Sequence, residues 1–154
     1  MIEIKHLKDC REHIDLVIDW LWKEWGNDKN YGNYQSIVEH SLNKDNLPQT
    51  FIAFIDGEPV GTVGLWRCDL ISRQDLYPWL ACLFVLPKYR GRGIGIELQN
   101  FLIQYAESLG YKELFLYTVL NGYYEKIGWE YMGDGFTPKG EKERIYKIST
   151  SIML

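Results

Sequence analysis

Cysteine and histidine are sparse in this chain, and any surplus of positive charge is missing. Cys10, Cys68 and Cys82 are odd in number, widely spaced and free of any CxxC pair. Neither a disulfide framework nor a thiolate metal site is therefore expected, and a reducing cytoplasm fits. His6, His13 and His40 lie far apart with no HExxH spacing. They read as surface or half-buried residues, and no metal is predicted. No apolar run approaches the ~18 residues of a membrane span, and Glu3, Lys5 and His6 interrupt the apolar residues at the start, so neither export nor anchoring is expected. With 17 Lys and Arg against 21 Asp and Glu, the formal charge is −4 and the pI near 5.4. That balance argues against nucleic acid or a membrane surface as partner, because both need a basic face to collect phosphates.

What is present suits a compact core. The 154 residues are 46% hydrophobic and 25% charged, which points to a single domain spanning residues 1–154 with no repeats, linkers or low-complexity segments. Ile2 and Ile4 alternate with Glu3 and Lys5 as in a short strand, and Ile14, Val17, Ile18, Leu21, Trp22 and Trp25 recur at helical spacing until Gly26. A weaker helix is expected at Tyr34–Leu42, closed by Pro48. Thr50–Ile55 and Val60–Arg67 flank Asp56-Gly57 as a hairpin should. Asp69–Tyr77 is polar and loop-like, whereas Trp79–Leu86 is almost wholly apolar, as a strand covered on both faces should be. A helix from Gly93 to Leu109 ends at Gly110. Glu113–Thr118, Trp129–Met132 and Arg144–Ser149 read as strands, with a short helix at Tyr123–Ile127. The order β-α-α-β-β-β-α-β-α-β-β places six to seven strands in one mixed sheet flanked by about four helices, an α/β or α+β class.

The most informative stretch follows the central strand: Val85-Leu-Pro-Lys-Tyr-Arg-Gly-Arg-Gly-Ile-Gly-Ile96. The first turn of a helix has N–H groups without intrahelical partners and carries about half a positive charge, so an anion placed there is bound by both. Gly91, Gly93 and Gly95 let the backbone come close, and Arg90 and Arg92 add charge. A dinucleotide fingerprint GxGxxG fails, since Ile96 or Leu98 stands where its last glycine belongs, and a Walker A loop fails for want of Gly-Lys-Ser/Thr. A plain left-handed turn between strand and helix is the competing reading.

Arg90-Gly91-Arg92-Gly93-Ile94-Gly95 resembles the Arg/Gln-x-x-Gly-x-Gly/Ala signature of the GNAT superfamily of acyl-CoA N-acyltransferases. Leu83-Phe84-Val85-Leu86-Pro87 looks like its coenzyme-contacting strand, and Tyr123-Tyr-Glu-Lys-Ile-Gly-Trp129 resembles its second signature. The resemblance spans Trp79 to Trp129, about a third of the chain, in the family's order. It implies that amides from Arg90 to Gly95, Ile94 among them, hold the pyrophosphate of acetyl-CoA, and that Leu83, Phe84 and Val85 pair with the pantetheine arm. It also implies a small-molecule or peptide amine as acceptor.

Acetyl transfer from a thioester to an amine passes through an oxyanion. The resemblance makes the Val85 N–H its donor, a contribution of ~3–4 kcal/mol to the barrier. It makes Tyr124 the acid that protonates the departing thiolate, since a phenol with pKa ~10 stays protonated at neutral pH. Without the motif, Tyr124 would read as one of 11 tyrosines packed against the sheet. The family's asparagine stands further from its tyrosine than Asn121 does from Tyr124, which argues against Asn121 as a coenzyme contact and leaves Thr118 or a backbone group as the alternatives to it. An alkylamine with pKa ~10.4 must lose a proton before it attacks. Glu24, Asp69, Asp75 or a water are the candidate bases. Trp22, Trp25, Trp66 and Trp79 suit either core packing or an acceptor pocket, and Trp20 or Tyr31 would suit a homodimer interface if exposed. The alternative function is a non-catalytic acyl-CoA-binding sensor or interaction domain, since binding and chemistry are separable.

Overall fold

The computed structural model describes every residue except Met153. Its strands and helices follow as β1 (Ile2–His6), α1 (Ile14–Trp25), α2 (Tyr31–Glu39), β2 (Gln49–Ile55), β3 (Glu58–Trp66) and β4 (Trp79–Val85). They continue as α3 (Ile94–Ser108), β5 (Glu113–Thr118), α4 (Tyr123–Lys126), β6 (Glu130–Phe136) and β7 (Lys142–Ser149). The seven strands form one sheet in the order β1-β2-β3-β4-β5-β7-β6. It is mixed: β1 with β2, β5 with β7 and β6 with β7 are antiparallel, whereas β4 and β5 are parallel with Trp79 opposite Phe115. Among the described residues, no helix is long and apolar enough to cross a membrane.

Two elements depart furthest from the expected boundaries, each for a local reason. The expected helix Tyr34–Leu42 instead runs Tyr31–Glu39. Its start is fixed where the Tyr31 ring meets Trp22 edge-on at 5.3 Å, and it ends where the Ser41 hydroxyl takes the Val38 carbonyl at 2.6 Å, a side-chain bond that competes with the helix ladder. β6 extends four residues past Met132, to Phe136, because pairing with β7 carries it through Gly133 and Gly135. A register shift lies between Tyr131 and Gly133, and Gly133 has φ 131°. Glycine-rich sequence reads as loop, yet a bulge accommodates it in a strand.

By its packing the chain divides into two compact units, Met1–Gly64 with Cys82–Leu98, and Leu65–Ala81 with Gln99–Leu154. In the first, the apolar face of α1 (Val17, Ile18, Trp20, Leu21) packs with Leu7, Val38, Ile52, Phe54 and Phe84. Fully burying each large side chain contributes ~1.5–3 kcal/mol. Trp20 is only 7% exposed, and its ring lies 5.5 Å from Phe84. It therefore belongs to this core and offers nothing to a homodimer interface, while Trp25, expected on the apolar face, is exposed. In the second unit, Leu70, Trp79, Phe115 and Ile145 are buried together, with Trp66, Leu76, Tyr117 and Met132 against them. Trp79 is fully buried, and its indole N–H donates to the Leu76 carbonyl at 2.6 Å, so it is a core residue.

A close approach of backbone from one strand to another in the first unit is at Gly61 in β3. A Cβ there would stand 2.7 Å from the Phe84 carbonyl oxygen and 3.3 Å from Leu98. Backbone cannot yield as a flexible side chain can, so Gly61→Ala must push β4 aside. We expect it to lower unfolding free energy in urea by ~1–3 kcal/mol. Unaltered stability would mean that β4 is free to shift there.

Candidate active site

The glycine turn lies in the first unit, between β4 and α3. Within β4, Cys82 has φ 50°, a left-handed conformation that residues with a Cβ adopt at a cost of ~1–2 kcal/mol. One such residue kinks the strand, and burial changes there from the buried Trp79, Leu80 and Ala81 to the half-buried Cys82 and Leu83. Beyond the kink, Phe84 is buried while Leu83 and Val85 are half-buried. The strand stops at Pro87, where the chain turns tightly: the Tyr89 N–H donates to the Leu86 carbonyl at 2.9 Å and the Arg90 N–H to Pro87 at 3.2 Å.

Arg90 clips this turn back onto the strand. Its Nε donates to the Val85 carbonyl at 2.8 Å, and its guanidinium lies 5.7 Å from the Phe84 ring centroid. Gly91 and Gly93 have φ 79° and 80°, conformations that nearly demand glycine. Among the described residues, no atom lies within 4 Å of where a Cβ would stand at Gly91, Gly93 or Gly95. The Glu97 N–H makes a helical bond back to the Gly93 carbonyl at 3.0 Å. The amides of Ile94, Gly95 and Ile96 thus precede it in the first turn, where no intrahelical acceptor exists. Arg92 stacks its guanidinium 5.3 Å from the Tyr89 centroid, and Lys88 its ammonium at the same distance. Three cations and open amide space make a cradle that fits a diphosphate.

The predicted acid belongs to the second unit. Gly122 (φ 91°) turns the chain into α4, and Gly128 (φ 105°) turns it out. Trp129 is then buried, with its indole N–H donating to Gln99 Oε1 at 3.0 Å. Tyr124, half-buried, has the rings of Tyr123, Tyr146 and Trp129 at 4.9, 5.7 and 6.1 Å. Burial, reinforced by the neighbouring Tyr123 phenol, pushes its phenol up to about 12. Asn121 is exposed, and the Thr118 hydroxyl accepts the Leu120 N–H at 3.1 Å, so part of Thr118's capacity serves its own loop.

Of the three candidate bases, Asp69 stands apart. It is half-buried, the loss of water around its carboxyl pushes it up to about 7, and no hydrogen-bond or ion-pair partner for it is found among the described residues. Asp75 is exposed and gripped by Arg73 through two bonds of 3.0 and 2.9 Å, which hold its carboxyl below the usual range. Glu24 is exposed at the end of α1. Glu143, which sequence reasoning did not single out, has a buried Oε2 without a hydrogen-bond partner among the described residues, and burial raises its carboxyl. Nothing in its spacing marked it. The same holds for Arg144 and Tyr146, which reach Glu125 from a distant strand. No group of three or more metal-ligating side chains gathers among the described residues.

The sequence pattern of the Acetyltransferase (GNAT) family matches residues 14–129. Over 90 residues the chain is 30% identical to an uncharacterized N-acetyltransferase of Methanocaldococcus jannaschii, a match covering 52% of this chain and 38% of that protein. An aminoglycoside 6'-N-acetyltransferase solved with coenzyme A superposes with TM-score 0.75 at 19% identity, covering 96% of this chain and 97% of that one. The aminoglycoside 6'-N-acetyltransferase of Enterococcus faecium gives 0.73 at 20% identity, covering 97% of each. With three quarters of its length inside the family pattern and the fold of these enzymes throughout, the chain belongs to the acetyltransferase (GNAT) family.

Proposed function

We propose that this chain is an acetyl-CoA-dependent N-acetyltransferase that passes the acetyl group to a primary amine of a small molecule or peptide by direct attack. The observation that carries the proposal is the turn from Arg90 to Gly95, in which left-handed Gly91 and Gly93 open the first turn of α3 onto empty space. Amides there, with Arg92, bind the pyrophosphate, while Leu83 and Phe84 and the Val85 N–H serve the arm and the oxyanion. The coenzyme, when bound, supplies a thioester and a thiolate leaving group.

Two side chains of the second unit handle the protons. Asp69, whose carboxyl is raised to about 7, is a strong enough base at neutral pH to draw a proton from the attacking amine, directly or through one water. Tyr124 gives its proton to the departing sulfur. Its phenol at about 12 is a weaker acid than a thiol at ~8.5. However, burial penalises a thiolate as it does a phenolate, so in a dry site the gap narrows toward the ordinary ~1.5 pKa units between phenol and thiol. A C–N bond forms as the C–S bond breaks. Of the two protons that leave the initially protonated amine, one is the equivalent of the proton Tyr124 gives to sulfur and the other passes to solvent. Tyr124 and Asp69 return to their starting forms by exchange with water. The aminoglycoside acetyltransferases of the same fold support a small amine as acceptor.

Mixing protein, acetyl-CoA and a panel of aminoglycosides, polyamines, amino acids and peptides while following free thiol should reveal amine-dependent release. Release no faster than background across the panel, with saturable coenzyme binding by calorimetry, would favour the sensor instead. Tyr124→Phe should lower kcat about 100-fold while the Kd for acetyl-CoA changes less than about twofold. Unchanged turnover removes Tyr124 from the chemistry.

Asp69 yields a pH prediction of definite sign. As a base it must be ionised, so kcat/KM should rise through about pH 7, and Asp69→Asn should abolish that limb. Stability runs the other way. A carboxyl raised on folding favours the fold below its unfolded value of ~3.9, and that contribution is lost as pH climbs through about 7. Asp69→Asn should therefore raise Tm above pH 7 and lose this advantage near pH 4. A pH-independent difference in Tm would show that the carboxyl is not buried in solution.

A further inference from the structure

Four residues do not make a stable helix in water, since nucleation alone outweighs so few bonds. α4 spans only Tyr123–Lys126, yet it carries the proposed acid. Its position must come from outside itself. Glu125 supplies it: its Oε1 accepts the Gly122 N–H at 3.0 Å, and its Oε2 accepts from Arg144 Nη2 at 3.2 Å. The Tyr146 hydroxyl bonds the same carboxylate; against the opposing effect of burial, its own backbone N–H first and then these bonds hold it below its usual pKa. Arg144 also donates through Nε to the Tyr146 oxygen at 2.9 Å.

Arg144 is well placed to act as the fixed point. It stands on β7 opposite Thr118 of β5 and Asp134 of β6, so strands flank it on both sides. Its guanidinium lies 3.9 Å from the Tyr131 centroid, and Tyr131 is itself held by donating to Asp134 at 2.8 Å. A planar fork with five donors can bond a carboxylate and a phenol and stack on a ring at once. Tyr146 completes the route: fully buried, it meets Arg144 and Glu125 with its hydroxyl and Tyr124 with its ring at 5.7 Å.

We infer that Arg144 is a positioning residue for this reaction, holding Tyr124 in register through Glu125 and Tyr146. This rests on Tyr124 being the acid. The tethers are strongest where the helix is weakest, at its first turn, and they converge on the residue next to Tyr124. Loss of the ion pair would leave α4 attached by its backbone and Trp129, with the phenol free to swing.

Two measurements on Glu125→Gln and Arg144→Gln test it. Glu125→Gln retains an oxygen for the Gly122 amide but removes the charge. By NMR, the Tyr124 ring signals, recognised by their loss in Tyr124→Phe, should sit displaced by the ring currents of Tyr123, Tyr146 and Trp129. In both variants they should move toward unstructured values while the remaining spectrum stays dispersed, and unmoved Tyr124 signals overturn the inference whatever the activity. In thiol release with acetyl-CoA and the fastest amine of the panel, each variant should lose about tenfold in kcat with KM for acetyl-CoA within about twofold. In a Tyr124→Phe background the further loss should be under about twofold. Equal losses in both backgrounds would make Arg144 merely structural. Wild-type kcat in Tyr124→Phe alone would instead remove the acid assignment and this inference with it.

Discussion

The amides that begin α3 have no carbonyl to bind within their own helix, and most of what distinguishes this chain depends on how that deficit is handled. An ordinary helix satisfies such groups with a capping side chain. Here the preceding residues are Gly91-Arg92-Gly93, with both glycines left-handed and the space beside them open. Arg90 bonds back to the Val85 carbonyl, which fixes the turn to the strand, so the open amides belong to a rigid edge. Gly61 allows β3 to approach β4 where that edge begins.

Burial has opposite chemical consequences at two sites in the second unit. For Tyr124 it holds the proton on the phenol, as the proposed acid requires, and for Asp69 it makes the carboxylate more basic, as the proposed base requires. Desolvation penalises the charged form in both cases. Asp75, only six residues on from Asp69, shows the contrast: paired with Arg73 in water, its carboxyl is held low and has little appetite for a proton.

The sequence made the loop legible because its chemistry is local: glycine spacing, flanking arginines and the strand before them are contiguous. The hairpin at Asp56-Gly57 and the helix ending at Gly110 were legible for the same reason, since both stops are left-handed residues. α2 was placed three residues late because its limits are set by the Trp22–Tyr31 contact and by Ser41, which periodicity does not record. The end of β6 was missed because partner pairing overrides the low strand propensity of Gly133 and Gly135. Asp69 could be named as one of three carboxylates but not chosen, as its distinction is desolvation and want of a partner. Arg144 and Tyr146 were invisible for a simpler reason: they lie 19 and 21 positions beyond Glu125 in the chain, and only strand pairing brings them to it.

The irregularity in β6 has a consequence of another kind. β6 is the last strand in the sheet order, and an outermost strand exposes a ladder of unused backbone groups that any passing strand could extend. The register shift after Tyr131 and the positive-φ glycine at 133 interrupt that ladder, and Glu130 and Asp134 put negative charge beside it. A polypeptide seeking to add itself there meets a broken hydrogen-bond rhythm and negative charge, so the same bulge that disguised the strand in the sequence also guards the protein against sticking edge-on to its neighbours.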